Sequence, residues 1–204
     1  MTIHLHNHDL PGSFNPGTAV ALDTEAMGLH LNRDRLCLIQ VSNGDGTAHL
    51  VKIDSTPKPA PVLTKILTDP KCQKIFHYAR FDVAHLVNAF KCDLPNIYCT
   101  KIASKLARTY TPRHGLKDLC AELLNVQLDK TCQTSYWAAD PLTDSQKAYA
   151  AQDVLYLHQL RDVLNDRLTE LNRVALAEKM FQTVEALALT ELAGFSPEFV
   201  LSHE

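Results

Sequence analysis

The sequence predicts an α/β sandwich, and two observations carry this prediction. The first quarter of the chain contains short runs of β character, whereas from about residue 61 strands alternate with segments of helical period. A β-meander followed by alternating strands and helices is typical of a sheet covered by helices. At 204 residues the chain is long enough to form one domain with a substantial core.

Each element follows from its local pattern. Four strands are predicted first, at about 3–6, 18–23, 36–41 and 48–53, with Asn43-Gly44-Asp45-Gly46 as the hairpin turn between the last two. The stretch 57–61 is rich in proline and predicts a stiff connector. Beyond it we predict strands at 74–76 and 96–98, and helices at 61–68, 81–90, 100–108, 116–124 and 143 to about 171. Thr143 is predicted to cap the last of these helices.

Composition predicts a cytoplasmic globular protein. Hydrophobic residues make up 46% and charged residues 21% of the chain, and neither a secretory signal nor a membrane-spanning apolar run is visible. Six cysteines lie mostly in apolar patterns, so we expect reduced core thiols rather than disulfides or a zinc site: Cys37, Cys72, Cys92, Cys99, Cys120 and Cys132. The net charge of −3 lacks the basic footprint of a duplex or long-RNA binder, which favours small nucleic-acid substrates held locally.

Four carboxylates and one tyrosine carry the chemical prediction. Asp23 and Glu25 end an apolar strand and share one of its faces, because residues i and i+2 of a strand project together. Tyr149 and Asp153 share a helix face, and Asp82 follows another short strand. Four converging carboxylates would resist ionisation unless cations lay between them. Mg²⁺ prefers such oxygen ligands, and two cations about 3.5–4 Å apart support in-line attack on a phosphodiester.

These segments resemble the three motifs of the Asp-Glu-Asp-Asp 3′–5′ exonucleases, in the tyrosine-bearing subclass that includes ribonuclease D. The resemblance runs from about residue 18 to residue 194 and is closest to the single-domain nano-RNase C type of oligoribonuclease. That group shares Arg-Asp-Arg-Leu-Cys (33–37), Cys-Thr-Lys-Ile-Ala-Ser-Lys-Leu (99–106), Arg-His-Gly-Leu-Lys (113–117), Glu-Leu-Leu-Asn-Val (122–126) and Asp-Val-Leu-Tyr-Leu-His (153–158). It implies a ribonuclease-H-like (DnaQ-like) fold with a central mixed sheet, as a single 3′–5′ exonuclease domain over residues 1–204.

The resemblance also implies a cofactor, namely two divalent cations per active site, Mg²⁺ or Mn²⁺. In the family pattern Asp23 bridges both cations, Glu25 and Asp153 complete the tighter site, and Asp82 holds the second. The phenol of Tyr149, with an ordinary pKa of about 10, is a poor general base at neutral pH. We therefore expect Tyr149 to orient an attacking water whose pKa a cation lowers, with a core aromatic as the alternative.

Residues beside the acidic motifs are candidates for substrate contact. Leu29 and His30 follow the first motif, where the family has an apolar residue that wedges between the terminal bases; a loop leucine packed on the sheet is the alternative. His77 and Arg80, which precede Asp82, could contact substrate or cap a local turn.

A basic cluster follows the second motif. Lys101, Lys105 and Arg108 are spaced as one helix face, and Arg113, His114 and Lys117 come just after them. A basic helix face is usually only solvated. In this segment it would meet a phosphate one or two nucleotides from the cations, so we expect some of these residues to bind the 5′ phosphate.

Two further features concern loops and assembly. Ribonuclease D-like chains commonly have Ser-Asp-Trp where this chain has Ser135-Tyr136-Trp137, which we expect to alter a loop contact and to leave catalysis in place. The stretch 174–193 is apolar around more than one face, although a surface helix needs only one apolar stripe. This surplus predicts a second buried contact, and the resemblance implies a ring-like homo-oligomer such as an octamer.

The function predicted from the sequence is a two-metal 3′–5′ exoribonuclease that acts on short single-stranded RNA, including dinucleotides, and releases nucleoside 5′-monophosphates. One alternative is a ribonuclease D-like enzyme that trims longer or structured RNA, and DNA as well. A second alternative is a catalytically inactive nucleic-acid-binding module. The complete set of four carboxylates and one tyrosine argues against the inactive module.

Overall fold

The computed structural model describes residues 2–56, 58–129 and 135–203, and these residues form one mixed sheet with helices on both sides. The six strands are β1 (Thr2–Asn7), β2 (Ala19–Ala26), β3 (Leu36–Ser42), β4 (Thr47–Lys52), β5 (Gln73–Phe76) and β6 (Ile97–Cys99). Their order across the sheet is β1-β4-β3-β2-β5-β6. β2, β3 and β4 form the antiparallel meander, β1 joins β4 in parallel, and β5 and β6 extend the other side in parallel.

The described helices are α1 (Pro61–Thr68), α2 (Arg80–Phe90), α3 (Thr100–Ala107), α4 (Leu116–Leu124), α5 (Asp144–Leu155), α6 (Leu157–Glu170), α7 (Val174–Leu192) and α8 (Pro197–Leu201). The predicted single helix from 143 to about 171 is wrong, because α5 ends and α6 begins at Tyr156. The apolar period continues through this break, so the pattern could not reveal it. α8 was not predicted, although Ser196 caps it and Pro197 opens it.

The cap predicted at Thr143 is confirmed for α5. The Thr143 hydroxyl accepts a hydrogen bond from the Gln146 amide, and the Gln146 side chain accepts one from the Thr143 amide. This reciprocal capping box satisfies two backbone donors at the start of α5. It therefore fixes where α5 begins, and with it the position of every residue one or more turns later.

The strand register decides which residues share a face of the sheet. Directly paired residues project to the same side, and Asp23 pairs with Gln40, which pairs with Leu50. Leu50 packs with Ala150 of α5 and with Trp137 in a small hydrophobic cluster, so α5 covers this face. β3 is buried along its whole length, as a central strand covered on both faces requires.

Two predictions from composition can be compared with the fold. Cys37, Cys72, Cys92, Cys99 and Cys120 form no disulfide, and all but Cys92 are buried; Cys132 lies outside the described residues. No helix within 2–56, 58–129 or 135–203 is both long and apolar enough to cross a bilayer.

Candidate active site

The centre of the site is a cluster of three carboxylates. Asp23 and Glu25 lie on the same face of β2, near the point where a β-bulge interrupts its pairing with β3. Asp153 approaches them from α5, which covers that face. One carboxylate oxygen from each of the three lies within 4.8 Å of the others. The structure therefore brings together side chains that are up to 130 positions apart in sequence.

Asp82 lies beside this cluster, in the first turn of α2, and is 4% exposed. The residue between Asp23 and Glu25, Thr24, projects to the opposite face of β2, and its hydroxyl donates a 2.7 Å hydrogen bond to Oδ1 of Asp82. The N-terminal turn of a helix also favours a carboxylate, because its free amides and dipole are positive. Thr24 was missed by the sequence analysis, which considered only the acids around it.

The electrostatics of the cluster resist ionisation. Burial, followed by repulsion from Asp82, Asp153 and Glu25, raises the pKa of Asp23 well above its ordinary value. Burial and the charge of Asp153 raise the pKa of Glu25 to about 9. Burial also raises the pKa of Asp82 to about 7, although hydrogen bonds from Thr24 act in the opposite direction and lower it. A cation between these groups would favour their ionised forms.

The donor set fits a hard divalent cation. All four side chains offer carboxylate oxygens, which Mg²⁺ and Mn²⁺ accept in preference to nitrogen or sulfur. Asp82, held from one side by Thr24, lies close enough for its charge to raise the pKa of Glu25 and Asp23. The residues present therefore satisfy the oxygen chemistry that such a cation requires.

Tyr149 lies one helical turn before Asp153 and forms a hydrogen bond with its side chain. Burial, then the charges of Asp153, Glu25 and Asp23, raises the pKa of the phenol above its ordinary value. The ring of Trp137, which is 4% exposed, lies 5.9 Å from the Tyr149 ring between centroids. Tyr149 is thus a protonated donor at neutral pH, held by α5 and by a buried indole.

The loop after β2 presents Leu29 to solvent, with 83% of the residue exposed. Asp34 organises this loop: its carboxylate accepts a hydrogen bond from the His30 amide at 3.0 Å and two more from the Arg33 guanidinium. A Cβ at Gly28 would lie 2.3 Å from Oδ2 of Asp34, so this close approach requires glycine. Asp34 belongs to the shared segment 33–37, and the sequence of that segment does not reveal this supporting role.

His77 and Arg80 have partners within the fold. Nδ1 of His77 lies 2.9 Å from the Thr100 hydroxyl. The Arg80 guanidinium lies 3.4 Å from Glu191 and 3.6 Å from Glu198, which ties α2 to the C-terminal segment. Both residues therefore hold the chain that leads to Asp82, and contact with substrate stays a prediction.

The predicted basic face requires a correction at Arg108. This residue is fully buried, forms a salt bridge with Glu122, and donates to Ser104 and to the backbone carbonyl of Arg113. The reason is that α3 ends at Ala107, so the chain turns away from helical geometry at Arg108 and the helical spacing no longer applies. Arg108 therefore supports the chain around it from the interior.

The other basic residues stay near the surface. The Lys101 ammonium lies 4.2 Å from the centroid of the Tyr78 ring, and Lys105 is exposed. Arg113 is exposed and lies 3.1 Å from Asp118. Nδ1 of His114 lies 2.9 Å from the Ser104 hydroxyl.

Comparisons with known proteins agree with this geometry. A family model described as a 3′–5′ exonuclease matches residues 7–169. Ribonuclease D of Gluconacetobacter diazotrophicus is 31% identical over 155 residues, which cover 76% of this chain and 39% of that protein. The chain thus spans about two fifths of the length of such ribonuclease D relatives.

Among solved structures, NrnC of Brucella melitensis with bound Mg²⁺ is 47% identical with a TM-score of 0.95, and both chains are covered completely. The same protein bound to pGG is 48% identical, again with both chains covered completely, and its TM-score is 0.96. Escherichia coli RNase D is 28% identical over 84% of this chain and 46% of that one, with a TM-score of 0.72.

These similarities confirm the ribonuclease-H-like fold and the resemblance to ribonuclease D and to nano-RNase C that the motifs indicated. The family match covers the elements that carry Asp23, Glu25, Asp82, Tyr149 and Asp153. The chain therefore belongs to the 3′–5′ exonuclease family of phosphodiester hydrolases.

Proposed function

We propose that this chain is a two-metal 3′–5′ exoribonuclease that hydrolyses short oligoribonucleotides, dinucleotides included, to nucleoside 5′-monophosphates. The observation that carries the proposal is the convergence of Asp23, Glu25 and Asp153 within 4.8 Å, with Asp82 held beside them. Similarity over the full chain to a protein solved with pGG favours a short substrate over a long one.

The four carboxylates would bind metal, and Tyr149 would orient water. Asp23, Glu25, Asp82 and Asp153 would hold two cations, Mg²⁺ or Mn²⁺, against the scissile phosphate. Bound cations would supply Lewis-acid stabilisation of the phosphoryl oxygens and a lowered pKa for water. The Tyr149 hydroxyl, which stays protonated, would orient the attacking water through its hydrogen-bonding oxygen.

Substrate contacts would come from both sides of the carboxylates. Leu29, exposed on a loop that Asp34 holds in place, would pack between the two terminal bases, with His30 beside it. Lys101, Lys105, Arg113 and His114 would hold the 5′ phosphate through charge-assisted hydrogen bonds. Arg108 would act through the chain segment that it supports. His77 and Arg80 would position the turn that precedes Asp82.

We also propose a homo-oligomer, with residues 1–204 as one exonuclease domain. α7 and the segment after it expose eight large apolar side chains: Val174, Leu176, Met180, Leu189, Phe195, Phe199, Val200 and Leu201. Exposed apolar surface marks an interaction site when it is contiguous. A second subunit would cover this surface. The unpaired thiols of the described cysteines fit the reducing cytoplasm, where we place the enzyme.

The deciding experiment measures initial rates on 5′-labelled single-stranded RNAs of two to about twenty nucleotides, with Mg²⁺. We expect the highest kcat/KM on the dinucleotide and tighter binding of its 5′-phosphorylated form. Lys105→Gln, on the exposed basic surface, should reduce that difference and leave metal binding unchanged. Tighter binding of the longest RNA, with a salt slope of several phosphates at about 0.7 log units each, would establish the ribonuclease D-like alternative instead.

A further inference from the structure

Three histidines lie side by side at the edge of the sheet farthest from β6. His4 and His6 are two residues apart on β1 and therefore project to the same face. β1 pairs in parallel with β4, and the register sets His4 directly opposite His49. Strand alternation and register together thus place three imidazoles on one patch.

The rings are close enough to interact. Nε2 of His6 lies 2.9 Å from Nδ1 of His49, with the two ring planes only 10° apart. The ring of His4 lies 5.2 Å from that of His49 and 6.3 Å from that of His6, between centroids. Phe14 packs edge-on against His49 at 5.0 Å and closes one side of the patch.

This patch is separate from the carboxylate cluster. His49 pairs with Val41, and Val41 pairs with Leu22, the neighbour of Asp23. Because paired residues share a face and successive residues alternate, the three histidines project to the face opposite Asp23. The patch also lies at a sheet edge, on β4 and β1, which are two and three strands away from β2. The proposed function assigns these three histidines no role in hydrolysis or in substrate binding.

We propose that His6 and His49, with His4 as an additional ligand, form a second metal site that is selective for a first-row transition cation of the Cu²⁺, Ni²⁺ or Zn²⁺ type. Nε2 of His6 and Nδ1 of His49 face each other at 2.9 Å, as in a hydrogen bond. Ligands of a tetrahedral cation at 2.0–2.1 Å lie about 3.3 Å apart, so a cation requires the two nitrogens to separate slightly and both rings to turn until their lone pairs converge. For these two nitrogens to bind a cation, His6 must carry its proton on Nδ1 and His49 on Nε2. His4, exposed at the edge, can rotate toward the pair.

The chemistry of the patch separates its cation from that of the carboxylates. Imidazole suits Cu²⁺, Ni²⁺ and Zn²⁺, whereas Mg²⁺ requires oxygen ligands. Burial, followed by the proximity of neighbouring histidines, lowers the pKa of both His6 and His49, which keeps the rings neutral at neutral pH, the form that binds metal. A bound cation would link β1 to β4, the strand with which β1 pairs.

The test uses Cu²⁺ with the intact protein in the presence of saturating Mg²⁺, which occupies the carboxylates and does not compete for imidazole. Electron paramagnetic resonance should show nitrogen couplings from at least two imidazoles. The His6→Gln/His49→Gln variant should lose these couplings and at least about 100-fold in Cu²⁺ affinity, more than the loss of an outer-shell partner costs. His203→Gln, which alters an exposed histidine of the C-terminal segment, should change neither.

Two further measurements keep the proposal falsifiable if the double variant folds poorly. Asp23→Asn should retain the nitrogen couplings, because the carboxylates are not the source of the signal. A crystal of the unaltered protein soaked with Zn²⁺ should show anomalous density between His6 and His49. A copper signal without nitrogen couplings, or nitrogen couplings that persist in the double variant, would reject the site.

Discussion

The Thr24 hydroxyl donates a 2.7 Å hydrogen bond to Oδ1 of Asp82, and both side chains are buried. This bond joins the strand that carries Asp23 and Glu25 to the helix that carries Asp82. It fixes one oxygen of that carboxylate and leaves its remaining lone pairs for a cation.

Thr24→Val keeps the shape of the side chain and removes the donor. A hydrogen bond to a charged group contributes about 1.5–3 kcal/mol. We therefore expect Mg²⁺ affinity to fall by about 10- to 100-fold in titration calorimetry, with a similar loss in kcat/KM. Thr68→Val, which removes an exposed hydroxyl on α1, should have neither effect. Unchanged affinity in Thr24→Val would show that this bond does not position Asp82.

The raised pKa values predict how the stability of the metal-free protein depends on pH. A carboxyl group whose pKa is higher in the folded than in the unfolded state stabilises the fold below its unfolded pKa, and that contribution is lost as pH rises through the folded pKa. The folded pKa is about 7 for Asp82 and about 9 for Glu25, against ordinary values of 3.8 and 4.5. In EDTA the free energy of unfolding should therefore fall between about pH 4 and about pH 9.

Urea denaturation at several pH values measures this slope. Saturating Mg²⁺ should remove most of the decline, because the cation stabilises the ionised carboxylates, and EDTA should abolish activity reversibly. Asp82→Asn should flatten the slope, whereas Asp166→Asn, at an exposed position, should not. A metal-free protein that becomes more stable across this range would contradict the electrostatic account of the cluster.

Tyr149→Phe tests the role of the phenol. The substitution keeps the ring against Trp137 and removes only the hydroxyl that we propose to orient the attacking water. We expect kcat to fall by roughly 10²–10⁴, the range for a positioned proton-transfer group. Mg²⁺ affinity in calorimetry should be unchanged. A loss of metal affinity comparable to the loss of rate would identify Tyr149 as a support for Asp153 instead.

Arg108 should be a residue of stability rather than of direct substrate binding. Glu122→Gln would leave a buried guanidinium without its charge partner. For a fully buried pair this costs about 3–5 kcal/mol, and we expect a smaller loss here because Glu122 itself is half-exposed. Asp118→Asn, at the exposed ion pair with Arg113, should change the unfolding free energy by less than about 1 kcal/mol. Equal effects of the two variants in urea denaturation would show that Arg108 contributes no more to stability than the exposed ion pair does.

The exposed apolar surface of α7 predicts assembly. Light scattering should give a mass well above the 22.7 kDa of one chain. Leu176→Glu places a charge on a side chain that is half-exposed in the subunit, and it should shift the protein toward the monomer without loss of helix content. A monomer at micromolar concentration in the unaltered protein would show that this surface is not a stable interface.

Local patterns predicted most of the fold because they depend on near neighbours. Alternation at β2 predicted that Asp23 and Glu25 share a face, helical spacing predicted that Tyr149 lies above Asp153, and Thr143 was recognised as a cap. Arg108 shows where this reasoning stops. Its spacing from Lys101 places it on the same helix face only if the helix extends through Arg108, but α3 ends at Ala107.

The order of residues sets which chemical groups are present and which of them share a local face, and this is enough to identify the family to which the chain belongs. Contacts between distant elements arise only in the folded chain: the bond from Thr24 to Asp82, the support of the Leu29 loop by Asp34, and the contact of His6 with His49. The physical reason is that a side chain's face follows from its own backbone, whereas its partner follows from strand order and helix docking, which the whole core decides together.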